Sequence, residues 1–251
     1  MRLLTTGYNT AFWNMGFDEA VLEGVANGST EPTLRFYGWT PHAISIGYFQ
    51  GILEEVDTEA CARSGVDIVR RITGGGAVFH ADELTYSIII PEKHPLARHD
   101  ILESYKSILA GIINGFAQFG IQAEFAPIND IVAGGKKISG NAQTRKYGCV
   151  LQHGTILLSV DPETMFSLLK VPNEKLKGKL IEDIKQRVTS ISSMLQRQVS
   201  FEEAERGFIE GYRDVLGEPL VHKDPEPAEE QRALELAETK FSTREWVYKR
   251  T

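Results

Sequence analysis

Cysteine is scarce in this chain, with Cys61 and Cys149 the two examples in 251 residues. Neither sits in a pairing motif or at metal-ligand spacing, which argues against a disulfide scaffold and against a zinc site. Positive charge is not in excess: 27 Lys and Arg face 34 Asp and Glu, for a net charge of -7. Broad nucleic-acid binding needs a basic surface and is disfavoured, although a local basic pocket stays open. No stretch approaches the ~18 apolar residues of a membrane span, and Met1 to Gly7 holds no apolar core of signal-peptide length. A cytoplasmic chain with no membrane partner is the expectation. Two signatures are missing as well. Without GxxxxGK[ST], any nucleotide must be held by another architecture; without GxSxG, a serine hydrolase of that kind is disfavoured.

What is there begins with Arg70-Arg71-Ile72-Thr73-Gly74-Gly75-Gly76-Ala77-Val78-Phe79-His80. Three glycines strip side chains from the backbone, so a ligand can lie against main-chain N–H groups. Two arginines precede them, and Ala77, Val78, Phe79 and His80 supply an apolar wall and an imidazole. The set suits an anionic ligand with an apolar part; a glycine-rich turn between strands is the plainer reading.

Apolar spacing organises the rest. Asn14 to about Val25 reads as a helix capped by Asn14. Residues 34–39, 43–49, 66–71 and 84–90 read as strands. Asp100 to Phe119 is the best helix, with Ile101, Tyr105, Ile108, Leu109, Ile112 and Phe116 on one face. Strand signals return at 131–138 and 150–160. Asp161-Pro162-Glu163 caps a helix through Lys170, and Ser200 to Glu203 is a capping box opening a helix to about Gly217. The Pro-rich joint Lys223 to Pro227 is the best boundary, giving a catalytic domain over 1–222 and a helical extension of it over 223–251. The class is α+β, a mixed and largely antiparallel sheet with flanking helices.

A second chemical segment runs from Asn129 to Gln143. Gly134-Gly135 suits a hairpin turn, and alternation then sets Lys137 and Ser139 on one face. A lysine held on a strand could bridge a carboxylate and a phosphate and stabilise charge on a transferring oxygen. Asp130 could help hold Mg²⁺ on a nucleotide phosphate, or form an Asx turn. In Gln152-His153-Gly154, the glycine marks close backbone approach, and His153 either lines a pocket or satisfies a sheet neighbour.

Together with Asn14 to Ala20, Arg35 to Trp39 and Lys240 to Trp246, these segments resemble the lipoate–protein ligase A family, from about residue 8 onward. That resemblance implies a fold shared with biotin–protein ligases. It also implies a two-step reaction: lipoate and Mg·ATP give lipoyl-AMP, and the lipoyl group passes to a lysine of an acceptor. The acceptor would be an E2 lipoyl domain or the glycine-cleavage H protein. Lys137 would contact the acyl carboxyl and α-phosphate, Arg71 and Gly74 to Gly76 would border the site, and Val78, Phe79 and His80 would lie beside lipoyl chain or adenine. Asp130 would be a metal or nucleotide contact. Ala77, Asn129, Ser139, Gly140 and His153 complete the candidate binding set. The short chain is similar to ligases whose accessory domain is a separate polypeptide.

Ala81 to Ser87, Trp39, Gln143-Thr144-Arg145 and Ala237 to Lys240 look more like a Gram-positive octanoyltransferase. That alternative moves octanoyl from acyl-carrier protein through a cysteine thioester, without ATP. No cysteine stands at Phe125 to Asp130 or near Val171-Pro172, where such enzymes hold it, and Cys149 reads as a buried small hydrophobe. The expectation is therefore an adenylating lipoate ligase, with the octanoyltransferase and a non-catalytic lipoate-binding homologue as alternatives.

Overall fold

The structure is a computed structural model that describes residues 1–170 and 174–251. In chain order its strands are β1 (Arg2–Asn9), β2 (Thr33–Trp39), β3 (Ala43–Ile46), β4 (Asp67–Arg70), β5 (Val78–His80), β6 (Glu83–Pro91), β7 (Ala123–Ala126), β8 (Asp130–Ala133), β9 (Lys136–Lys146), β10 (Cys149–Leu157) and β11 (Val221–His222). Eight form one sheet in the order β11-β1-β2-β6-β10-β9-β8-β7, and β4-β3-β5 form a second. Pairing is antiparallel from β2 through β7 and parallel among β11, β1 and β2. The mixed, largely antiparallel α+β class is what the patterning predicts.

Period-two alternation divides the large sheet between two apolar layers. Phe36, Tyr86, Ile88 and Val150 face the helices Ile101–Ala117 and Phe201–Arg213. Tyr37, Ile89 and Leu151 face the helix Ala11–Asn27, which is backed by the helix Pro227–Leu236. The small sheet keeps its own cluster around Ile44, Ile46 and Cys61. A buried Arg2–Glu229 ion pair of 2.7 Å ties β1 to the helix Pro227–Leu236.

Local chemistry sets the helix ends. Asp100 accepts from the Glu103 amide at 2.9 Å, Asp161 from the Glu163 and Thr164 amides, and Ser200 from the Glu203 amide. Such caps stabilise a helix by about 1 kcal/mol each. Several expectations are corrected. The first helix starts at Ala11 under a Thr10 cap, and Asn14 lies inside it. The Asn14 side chain is buried and donates to the carbonyl oxygens of Asn9 and Gly38, so its partners are tertiary and not its own helix end. Ile101, the first residue of its helix, is 57% exposed and not part of the buried face. The helices expected to reach Lys170 and Gly217 stop at Leu168 and Arg213. Glu203 turns to Arg197 instead of closing the capping box; a closed box forms at Glu226 and Glu229. Val171 and Pro172 lie outside the described residues. Among the described residues, no helix is long and apolar enough to cross a membrane.

Candidate active site

A cleft of about 550 Å³ opens between the second face of the large sheet and the small sheet. Met15, Tyr37, Trp39, Val78 and Ala142 give it apolar walls. Lys137, Asn129, Asn141, His153, His80, Ser45, Thr85 and Thr155 bring polar groups, and Gly75, Gly76, Gly140 and Gly154 bring bare backbone. An apolar cavity with a few convergent polar groups is the form expected of a small-molecule site.

The glycine run works through close approach. A Cβ on Gly47 would stand 2.0 Å from the Gly75 carbonyl oxygen, so the loop lies directly on the end of β3. Gly75 holds φ at 95°, a conformation that disfavours any side chain. The arginines hold this geometry through backbone carbonyls. Arg71 is buried, and its five N–H groups go to the carbonyls of Ser45, Gly74 and Gly76 and to the Ser45 hydroxyl. Burial pulls its pKa down to about 10. Arg70 donates to the carbonyls of Gly47, Tyr48, Gln50, Trp246, Val247 and Arg250.

The freer cation is Lys137. It is half-exposed, and its Nζ stands 2.7 Å from Asp130 Oδ1. Its side chain fills the space above Gly140, where an added Cβ would meet Lys137 Cε at 2.9 Å. Backbone pairing to Val188, and a hydrogen bond from the Thr189 amide to the Lys137 carbonyl, hold the strand from behind. Asp130 is thus engaged by the lysine through Oδ1. Among the described residues, no cluster of three or more His, Cys, Asp or Glu could hold a metal ion.

Two histidines complete the site. His153 Nε2 is 2.7 Å from Thr73 Oγ1, and its Nδ1 is 3.7 Å from Asp18 Oδ2. Burial lowers the His153 pKa, and Asp18 only partly offsets this. Burial alone would raise the Asp18 carboxyl, but His153, Arg35 and Ser87 outweigh it and leave the pKa lowered. His80 Nε2 is 2.7 Å from Ser45 Oγ, and its Nδ1 is 2.7 Å from Glu83 Oε1.

Of the residues singled out from the sequence, Arg71, Gly75, Gly76, Val78, His80, Asn129, Lys137, Gly140 and His153 line the cleft. Ala77 and Phe79 line a second cavity of about 1000 Å³, which shares Val78, Lys137, Gly140 and Thr155 with the first. Gly74 packs toward Phe49. Ser139 is buried beneath the strand, accepting from Asn141 Nδ2 at 3.3 Å. Sequence reasoning missed Met15, Ser45, Thr85 and Asn141. Asn141 has a readable signal beside it: Gly154 is bare because an added Cβ would lie 1.9 Å from Asn141 Oδ1.

The thiols stand apart. Cys61 packs under the small sheet, with its pKa pushed up to about 11 by burial and by Asp57. Cys149 is buried in the layer below the first helix, its pKa likewise raised by burial and by Glu92. Neither lines the cleft.

The lipoyl protein ligase A/B catalytic domain family matches residues 10–213. This chain belongs to that family, an enzyme family of protein lipoylation. Among its relatives, octanoyltransferase LipM of Geobacillus kaustophilus is 40% identical over 99% of this chain and 98% of its own length. Octanoyltransferase LipM of Bacillus subtilis is 35% identical with the same coverage. Among solved structures, a bipartite lipoate protein ligase from Thermoplasma acidophilum, studied with its E2 lipoyl domain, superposes with a TM-score of 0.88. It is 30% identical and covers 98% of this chain and 95% of its own. Lipoate–protein ligase A bound with ATP gives a TM-score of 0.83 at 30% identity, covering 98% of both chains.

These relatives overturn the expectation of an ATP-dependent lipoate ligase. Near-full-length relatives named octanoyltransferase support the alternative instead.

Proposed function

We propose that this protein transfers an octanoyl group from a thioester of acyl-carrier protein to a lysine amine on a lipoyl-type acceptor domain. The observation that carries the reading is the match to octanoyltransferases along almost the whole of both chains. The cleft is consistent with it. Met15, Tyr37, Trp39, Val78 and Ala142 offer an acyl tail an apolar bed, at about 25 cal/mol per Å² buried. Lys137 lies where that bed meets polar backbone, and its ammonium can hydrogen-bond the carbonyl oxygen as charge develops there during attack. Asp130 holds the ammonium in place while the cleft is empty of charge. ATP and Mg²⁺ belong to the ligase reaction and have no part in this one. A lipoyl domain as acceptor is supported by the archaeal neighbour, which was studied with its E2 lipoyl domain.

The test is to mix the protein, octanoylated acyl-carrier protein and an unmodified lipoyl domain without nucleotide, and to weigh the acceptor by mass spectrometry. One octanoyl amide per acceptor is expected. Lys137→Ala should slow its formation by about 10²–10³-fold, the usual cost of losing an oxyanion donor. Acceptor modified only from free acid plus ATP would refute the proposal.

A further inference from the structure

Ser45, His80 and Glu83 form a hydrogen-bonded line that the transfer scheme above leaves unused. Ser45 Oγ to His80 Nε2 and His80 Nδ1 to Glu83 Oε1 are both 2.7 Å. Hydroxyl, imidazole and carboxylate in this order allow the histidine to take the hydroxyl proton while the carboxylate fixes its tautomer. Strand pairing builds the line. Ser45 on β3 stands opposite Val78 on β5, so His80 is its diagonal neighbour on the same face. Glu83 follows across a short turn at the start of β6. Because Ser45 sits within a strand and not on a nucleophile elbow, a search for GxSxG passes over it.

Four further observations favour chemistry over scaffolding. Ser45 and His80 border the cleft at 1% and 5% exposure, and the buried Glu83 lines the adjoining cavity. Trp39 stacks on His80 with ring centroids 4.0 Å apart and donates to Thr85, which in turn donates to Glu83 Oε1 at 2.6 Å, so ring and carboxylate are both held. Glu83 Oε2 is buried with no hydrogen-bond partner among the described residues, a cost that a purely structural contact leaves unexplained. Arg71 Nη1 also donates to Ser45 Oγ at 3.1 Å, setting positive charge beside an incipient alkoxide.

We infer that Ser45 is the nucleophile that carries the acyl group, in place of a cysteine; this rests on the acyl-transfer reading above. Ser45 Oγ attacks the thioester carbonyl carbon, a C–O bond forms and the C–S bond breaks. The hydroxyl proton passes to His80 Nε2 and on to the leaving thiolate. The neutral amine of the acceptor lysine then attacks the ester carbonyl, a C–N bond forms and the C–O bond breaks. The amine's proton returns through His80 to Ser45 Oγ. The second histidine is less suited, because Thr73 does not line the cleft and Asp18 already serves Arg35, Tyr37 and Ser87.

The experiment is to incubate the whole protein with octanoylated acyl-carrier protein in the absence of acceptor, quench in acid and map the peptides. One octanoyl group on the peptide holding Ser45, discharged when a lipoyl domain is added, is expected. Ser45→Ala should carry no adduct and transfer at least about 10³-fold more slowly. Ser45→Cys guards against misfolding of the alanine variant: it should be acylated as a thioester that neutral hydroxylamine cleaves. Transfer with sequential kinetics and no adduct, or an adduct on Cys61 or Cys149, overturns the serine assignment while leaving octanoyl transfer intact. Absence of transfer from the thioester, with transfer from free acid plus ATP, overturns the reading beneath it.

Discussion

The His80 line and the His153 line begin alike: each sets a hydroxyl 2.7 Å from a buried imidazole. They part at the carboxylate. Asp18 is saturated by Arg35 Nη1 and Ser87 Oγ on one oxygen and by Tyr37 on the other, and His153 stands 3.7 Å away. Arg35 is enclosed in turn, with its guanidinium 3.8 Å from the Tyr37 ring centroid. This is a packed polar network that fixes the first helix to the sheet. Glu83 gives one oxygen to His80 and Thr85 and keeps the other bare. A carboxylate with spare capacity can respond when its histidine gains a proton, whereas a saturated one can only hold still.

The largest difference should appear on exchanging each carboxylate for its amide. Glu83→Gln is expected to lower turnover by about 10³-fold or more through the wrong tautomer of His80. Its melting temperature should stay near that of the parent. Equal turnover in parent and variant would reduce this line to scaffolding. Asp18→Asn should do the reverse, leaving Arg35 as an unpaired buried cation and costing about 3–5 kcal/mol of stability. Urea unfolding reads this directly, and an unchanged midpoint would break the contrast.

A smaller effect separates the imidazoles by pH. His153 has a folded pKa below its ordinary 6.5, first because of burial. As pH falls below that ordinary value, the unfolded chain takes up a proton that the folded chain refuses, so stability drops. The His153 contribution is therefore present at neutral pH and lost on acidification toward the folded value. Comparing urea midpoints at about pH 7.5 and about pH 5.5, the parent should lose more than His153→Gln. Equal losses would remove His153 from the account.

Much of this fold was readable because it rests on local rules. Apolar and β-branched or aromatic runs at 84–90 and 34–39 mark the central strands, and Asp100, Asp161 and Ser200 cap helices through bonds to residues two or three positions away. Asn14 shows where such rules stop: the residue type suits a cap, but its partners are the Gly38 carbonyl and Arg35. Lys137, Gly75 and Gly76 were legible as cleft residues because strand and turn alone present them. Ser45 was not, since its meeting with His80 depends on which strands pair and in what register. The partners of the arginines were hidden for a related reason. The arginine charge is plain in the sequence, but the carbonyls that occupy the guanidinium N–H groups lie on distant segments.

Arg70 illustrates what such distant wiring entails. One guanidinium grips both the peptide segment beneath the glycine loop and the last turn of the polypeptide. Loosening the tail, by a fused tag or a deletion, would slacken the floor of the cleft some 200 positions earlier in the sequence (Gly47 against Val247). Faster amide exchange at Tyr48 and Gln50, whose amides bond the Thr73 and Gly47 carbonyls, would report that slackening.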